Sequence, residues 1–441
     1  MLLIKNGYLM DPKTRYEGIA DILIEEAKIT KITWKAEETE PNLAYLPPSL
    51  QNELQIIDGE GLIVAPGLVD VHVHFREPGF EYKEDIASGA KAAARGGFTT
   101  VVLMANTRPT VDNEETLKLV LNKGKETDIH VETCTSVTKG QQGKELVEFE
   151  RLLEAGAAGF TDDGMPLMDV EILKKAFAAS SRLQVPISLH EEDPSYIMDN
   201  GINQGKISDY FGIGGAPREA EISIVERDLK LALETGAILN VQHISCKETV
   251  ELLRKAKAQP GGDRLHGEAT PHHFTLTEEA VLKDGTLAKM NPPLRTEADR
   301  QAIIEGIKDG TLDIIATDHA PHSEEEKKRE LTKAPSGILG LETALALGIG
   351  ELVEKADMPL MDLLVRMSHA PARLYGLDAG YVKEGGPADL VLFDPNELWK
   401  VESFASKSRN SPFLGKTMLG KVKMTICGGR VIYGKQREEN L

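Results

Sequence analysis

Eight short apolar runs alternate with eight helix-length amphipathic segments between residues 67 and 355, and this rhythm restricts the folds open to the chain more than any other feature. The spacing predicts strands at 67–74, 98–105, 129–134, 157–161, 185–190, 238–244, 267–270 and 312–317. Helices are expected at 85–95, 114–125, 143–155, 169–183, 218–235, 247–258, 296–309 and 340–355. Strand–helix repetition implies a parallel sheet with helices outside it, and eight repeats suit a (β/α)8 TIM barrel. A doubly wound open sheet is the alternative.

The two ends read differently. Leu2–Ile4, Ile22–Ile24 and Ile29–Ile32 are short apolar runs between Gly, Asp and Lys turns, and 388–393, 423–426 and 429–432 repeat that style. Neither end holds enough strands for a stable sheet. The two termini are therefore expected to meet in one small composite β domain, with boundaries at 1–63, 64–371 and 372–441. Residues 36–54, with their acids and three prolines, read as a surface excursion.

A formal charge of −19 argues against nucleic acid as a partner, because phosphate binding needs a basic surface. No run of 18 apolar residues exists to span a membrane. The start, MLLIKNGYLMDP, lacks the features of a secretory signal. Cys134, Cys246 and Cys427 are far apart with no CxxC spacing. Buried thiols in a reducing, cytoplasmic setting are expected.

The residues able to bind metal fall at one end of the predicted strands. His72 and His74 close the first, Asp162 and Asp163 follow the fourth, and His190, His243 and Asp318 follow the fifth, sixth and eighth. Barrel enzymes draw their chemistry from that end of different strands. In DVHVHFR, period-two alternation puts Asp70, His72, His74 and Arg76 on one face, so two imidazoles can point at one cation. HxH alone is a weak signal. Joined to the other strand-end His and Asp residues, it describes a nitrogen and oxygen ligand set suited to zinc and its first-row neighbours.

DVHVHFREPG, MANTRP, FTDDG, TPHH, NPPLR and TDHAPH, spread between about Val64 and Pro371, resemble the amidohydrolase superfamily and, within it, the larger type I class of bacterial dihydroorotases. The resemblance implies reversible, metal-dependent hydrolysis of dihydroorotate to N-carbamoyl-L-aspartate in pyrimidine (UMP) biosynthesis. It implies that His72, His74 and Asp318 hold one metal and that His190 and His243 hold a second, with zinc at two ions per subunit or at one. Many relatives bridge the metals with a carbamylated lysine. TDDG matches the members that bridge with aspartate, and Asp163, 27 residues before His190, is the expected bridge rather than Asp162. Asp318 would carry the proton from water to the leaving nitrogen. The implied substrate contacts are His74, Arg76, Asn106, Asn291, His322, Ser336 and Gly337.

The rival readings are a hydantoinase or allantoinase, and a dihydroorotase-like scaffold subunit of aspartate transcarbamoylase. A homodimer and an association with that transcarbamoylase are both compatible with the resemblance. Packing roles are expected for His272, His273 and His319. Asp70 is either a core charge or a partner that orients a ligand histidine. The charged run 323–333 is either a solvated loop or a lid.

Overall fold

The computed structural model describes residues 1–35 and 54–434, so the proposed excursion at 36–54, apart from Leu54, lies outside the described residues. The strands are β1 (Leu2–Asp11), β2 (Tyr16–Glu25), β3 (Lys28–Trp34), β4 (Gln55–Asp58), β5 (Ile63–Pro66), β6 (Leu68–Val73), β7 (Phe98–Leu103) and β8 (His130–Thr135). They continue with β9 (Gly159–Phe160), β10 (Pro186–Leu189), β11 (Ile238–Val241), β12 (Leu265–Ala269), β13 (Ile314–Ile315), β14 (Leu390–Lys400), β15 (Thr417–Cys427) and β16 (Arg430–Tyr433).

β6 to β13 form an eight-stranded parallel sheet in sequence order. It is drawn together at the seam by a parallel bridge between Val73 and His319 and by the His74 N–H, which donates to the His319 carbonyl at 2.9 Å. The TIM barrel read from the strand–helix rhythm is therefore the observed fold. The ladder is shortest at β9 and β13. At β13 a side chain supplies the reason: the Asp70 carboxylate accepts from the Thr317 N–H at 3.2 Å, taking the donor that would extend the strand.

The helices agree with the periodicity where capping is strong. Ile86–Arg95 starts at Asp85, whose carboxylate accepts from the Ser88 N–H at 2.7 Å, while the Ser88 hydroxyl accepts from the Asp85 N–H. Two expectations differ from the structure. The helix expected at 143–155 is present only over Phe149–Glu154, because the preceding segment folds back, with Val147 N–H donating to the Val137 carbonyl and Lys139 N–H to that of Glu145. The helix expected at 340–355 is α-helical only over Ala344–Leu347 and continues in wider π-type turns over Gly348–Glu354. The Gly340 N–H donates to His319 Nδ1 at 3.2 Å, and the Gly340 carbonyl accepts from the Ala344 N–H at 3.0 Å, where the helix begins.

Both termini build the second sheet, ordered β16-β15-β14-β5-β1-β2-β3 with β4 also on β1. β5 joins the two halves, running parallel to β1 on one side and antiparallel to β14 on the other. The expected boundary at residue 64 falls inside β5, and the barrel begins at Leu68. Gly67, the pivot between the sheets, has no room for a side chain: a Cβ there would sit 2.0 Å from Thr99 Oγ1. The sheet is anchored to the barrel through β15, where Thr425 Oγ1 donates to the Ala94 carbonyl at 2.7 Å.

Candidate active site

At the C-terminal end of the barrel strands, His72, His74, Asp163, His190, His243 and Asp318 converge, none more than 7% exposed. Triads drawn from these residues have nitrogen and carboxylate oxygen atoms within 4.8 Å of one another: His72 with His74 and Asp163, His72 with His243 and Asp318, and Asp163 with His190 and His243. Asp163 faces both halves of the cluster. Its Oδ1 lies 3.5 Å from His72 Nε2 and 3.9 Å from both His190 Nδ1 and His243 Nε2, and its Oδ2 lies 3.5 Å from His74 Nε2. Asp162 points elsewhere, accepting from the Val137 N–H at 2.8 Å and the Thr138 N–H at 3.1 Å.

Tautomer logic shows what the cluster can hold. His72 Nδ1 meets Glu268 Oε2 at 2.9 Å, so in the neutral ring the proton sits on Nδ1 and the lone pair on Nε2. That Nε2 has no hydrogen-bond partner, is buried, and lies 3.5 Å from carboxylate oxygens of both Asp163 and Asp318. His74 repeats the arrangement. Asn106 Nδ2 donates to Asp163 at 2.9 Å, so Asn106 Oδ1 accepts from His74 Nδ1 at 3.0 Å. The His74 Nε2 lone pair then faces Asp318 Oδ1 at 2.9 Å. Two lone pairs aimed at two carboxylates, all buried, repel unless positive charge sits between them. The donor set fits one or two divalent cations.

Carboxylate charge dominates the electrostatics of the cluster. Burial pushes the His72 imidazole down, but Glu268, Asp318 and Asp163 outweigh it and hold the group well above its ordinary value. Burial would raise Asp163, yet His72, His74 and His190 hold its carboxyl well below the usual range. Both shifts reflect the concentration of carboxylate charge around the imidazoles.

Backbone geometry places several of these groups. Arg76 (φ 63°), His243 (φ 33°) and Asp318 (φ 46°) all hold left-handed conformations, which are costly for non-glycine residues and concentrate at functional sites. Arg76 reaches the cavity by this turn and not by strand alternation, because β6 ends at Val73. The Asp70 side chain, one of the two readings left open, accepts from the His72 and Thr317 N–H groups and braces the first strand against the last without touching an imidazole.

The cluster opens into a cavity of about 460 Å3 whose wall also carries Arg76, Asn291, His322 and Ser336. Arg76 Nε donates to the Pro321 carbonyl at 3.2 Å and its terminal nitrogen lies 3.4 Å from His322 Nε2, with no carboxylate ion pair among the described residues. Burial first, and the neighbouring Arg76 and Lys83, push His322 down to about 3, so the ring is neutral and its single lone pair accepts from Arg76 at Nε2 or from Lys83 at Nδ1, not from both. Ser336 Oγ lies 3.1 Å from Asn291 Oδ1. Gly337 stands behind the wall, its N–H already given to the Lys289 carbonyl at 3.0 Å.

Segment 323–335 exposes most of its charged side chains but is tied to its surroundings through two buried lysines. Lys289 Nζ, buried, donates to the carbonyls of Leu331 and Ala334 at 2.8 Å, and Lys327 Nζ donates to those of Pro335 and Gly337. His319 packs against Phe75, and His273 bridges Thr270 to the Pro292 carbonyl at 3.0 Å, which steadies the loop carrying Asn291.

Sequence reasoning missed Glu268. It lies within β12, is fully buried, receives Asn240 Nδ2 at 2.6 Å, and fixes the His72 tautomer. A lone acid near the C-terminal end of a short strand, LHGEA, was the available signal. Glu268→Gln is expected to weaken metal binding by roughly 10–100-fold, the usual cost of losing such a partner. Metal titration followed by calorimetry checks this, and an unchanged affinity would mean that Glu268 serves packing alone. With an aspartate bridge, activity of the unaltered protein is expected not to depend on added bicarbonate, and Asp163→Ala is expected to lower metal content by elemental analysis. Asp162→Ala should retain the metal; the reverse pattern would exchange the two roles.

Comparison with known proteins agrees with the geometry. The amidohydrolase family model matches residues 63–432. A dihydroorotase of Clostridioides difficile (strain 630) is 54% identical over 433 residues, covering 98% of this chain and 100% of that protein. A dihydroorotase of Lactococcus lactis subsp. lactis (strain IL1403) is 49% identical over 433 residues, covering 98% of this chain and 99% of that protein. Among solved structures, the L-hydantoinase (dihydropyrimidinase) from Arthrobacter aurescens superposes with a TM-score of 0.84 at 25% identity, over 99% of this chain and 96% of that one. With the barrel, the convergent His and Asp cluster and near-complete coverage of such relatives, the chain belongs to the amidohydrolase family and, within it, to the dihydroorotases.

Proposed function

We propose that this chain hydrolyses the cyclic amide of dihydroorotate reversibly to N-carbamoyl-L-aspartate, as a zinc enzyme of cytoplasmic pyrimidine biosynthesis. The observation that carries the reading is a cation-seeking cluster that shares one cavity with an arginine having no carboxylate partner among the described residues. Hydantoinases share the barrel at 25% identity or less among the neighbours named, whereas full-length relatives at 49–54% identity carry the dihydroorotase name.

His72, His74 and Asp318 would hold one ion, His190 and His243 a second, with Asp163 between them. When bound, such ions polarise an amide carbonyl and lower the pKa of water. In the hydrolytic direction, water oxygen bonds to the ring carbonyl carbon and the carbon–nitrogen bond breaks. Asp318 accepts the proton released by water and returns it to the departing ring nitrogen, so the carboxylate ends as it began. Arg76 binds the substrate carboxylate through its planar fork, with neutral His322 and the Asn106 and Asn291 amides setting the orientation. Ser336 shapes the same wall through Asn291.

The discriminating experiment assays metal-loaded protein with dihydroorotate and with hydantoin. Turnover of dihydroorotate well above hydantoin is expected. The reverse preference would assign the chain to the hydantoinase reading, and inactivity on both with metal bound would favour a scaffold subunit.

A further inference from the structure

The opposite end of the barrel carries a second group of metal-competent side chains. His130 is the first residue of β8, Asp389 immediately precedes β14, and Cys427 ends β15. Their nitrogen, oxygen and sulfur atoms all lie within 4.8 Å of one another. His130 Nε2 is 2.9 Å from Asp389 Oδ2. Asp389 is held firmly in place: its Oδ1 accepts from the Gly428 N–H at 2.7 Å, and its carbonyl accepts from the Gly67 N–H at 2.9 Å.

An ion pair between His130 and Asp389 accounts for only part of this. The Cys427 thiol, 3% exposed, has a long contact of 3.8 Å to the Thr99 carbonyl. Thr100 pairs with His130 in the ladder, is 3% exposed, and lines the same cavity with an Oγ1 that has no hydrogen-bond partner. The cavity measures about 310 Å3 and is also lined by Glu132, Asp378 and the exposed Lys28, leaving space beside His130 and Asp389 for water. Glu132 follows His130 by two residues, so the strand presents both on one face.

We propose that His130, Asp389 and Cys427 form a structural site for a borderline divalent cation such as Zn2+, with water from the cavity completing the coordination. One nitrogen, one carboxylate oxygen and one thiolate match the ligand preferences of that class of ion. Binding releases the Cys427 thiol proton and any proton on His130. The ion would clip the C-terminal strands β14 and β15 to barrel strand β8, joining His130 to residues 259 and 297 positions later in the sequence.

Cobalt substitution separates this site from the candidate active site, whose clustered ligands include no sulfur. The full-length protein saturated with Co2+ is expected to show a near-ultraviolet thiolate-to-cobalt band. That band should persist in Asp163→Ala. It should vanish in Cys427→Ser and in His130→Ala, each with one Co2+ fewer per chain by elemental analysis and with dihydroorotate hydrolysis retained. Should Cys427→Ser fail to fold, His130→Ala, altered at an exposed side chain, gives the same reading. Absence of the band in saturated wild-type protein, or an unchanged band and cobalt count in the variant that folds, overturns the proposal.

Discussion

Replacing Asp318 by asparagine is expected to lower kcat for dihydroorotate by roughly 10²–10⁴-fold, the usual contribution of a positioned acid–base group. The expectation rests on where the fold places this carboxylate. β13 stops at Ile315, the backbone turns through a left-handed Asp318, and Oδ1 arrives 2.9 Å from His74 Nε2 and 3.5 Å from His72 Nε2. Asparagine preserves the shape and one neutral oxygen donor but cannot take up a proton at neutral pH. The loss should therefore appear in kcat with metal content reduced only in part, by elemental analysis, and with the circular dichroism of the wild type. A variant that keeps most of the wild-type rate removes Asp318 from proton transfer. A variant that loses both metal and rate, and recovers its rate at high metal concentration, limits Asp318 to ligation.

What the sequence made legible follows from which physical signal each feature leaves. The barrel was readable because each strand–helix pair must bury its own apolar stripe, so the pattern repeats eight times. The convergence of His72, His74, His190 and His243 was readable because each lies within two residues of the C-terminal end of its strand. The pairing of the two termini was inferable only from insufficiency, and nothing in the sequence sets β5 apart from any other apolar run although it joins the terminal sheet. Position at the strand ends was harder. Arg76 was expected by alternation, yet it reaches the cavity through a left-handed turn after β6 has ended. No local pattern marks such a turn in a non-glycine residue. Gly337 was expected at the cavity, but its N–H is spent on Lys289, a residue 48 positions earlier that only the fold brings near. Long-range hydrogen bonds of this kind, like the Lys289 and Lys327 ties that hold segment 323–335, leave no periodicity in the chain.

Arg76→Met should reduce kcat/KM for dihydroorotate by roughly 2–5 kcal/mol, about 30-fold to several thousand-fold, by analogy with the loss of one partner from a buried charge pair. Arg76 lines the cavity, hydrogen-bonds only to the Pro321 carbonyl and His322, and forms no ion pair with a carboxylate among the described residues. A cation facing a metal-binding cluster across a cavity is unfavourable unless an anion joins them, and the substrate carboxylate is such an anion. Burial already lowers the guanidinium from its ordinary range, although Asp318 and Asp163 partly restore it. Methionine retains much of the side-chain length and removes the charge, so metal content should stay at the wild-type level. Hydantoin has no matching carboxylate, and whatever turnover it shows should fall far less than that of dihydroorotate. Lysine at the same position restores the charge without the bidentate fork, so Arg76→Lys is expected to recover part of the loss. An equal fall for both substrates, or loss of metal, would mean that Arg76 holds the loop at Pro321 and His322 in place and does not read the carboxylate.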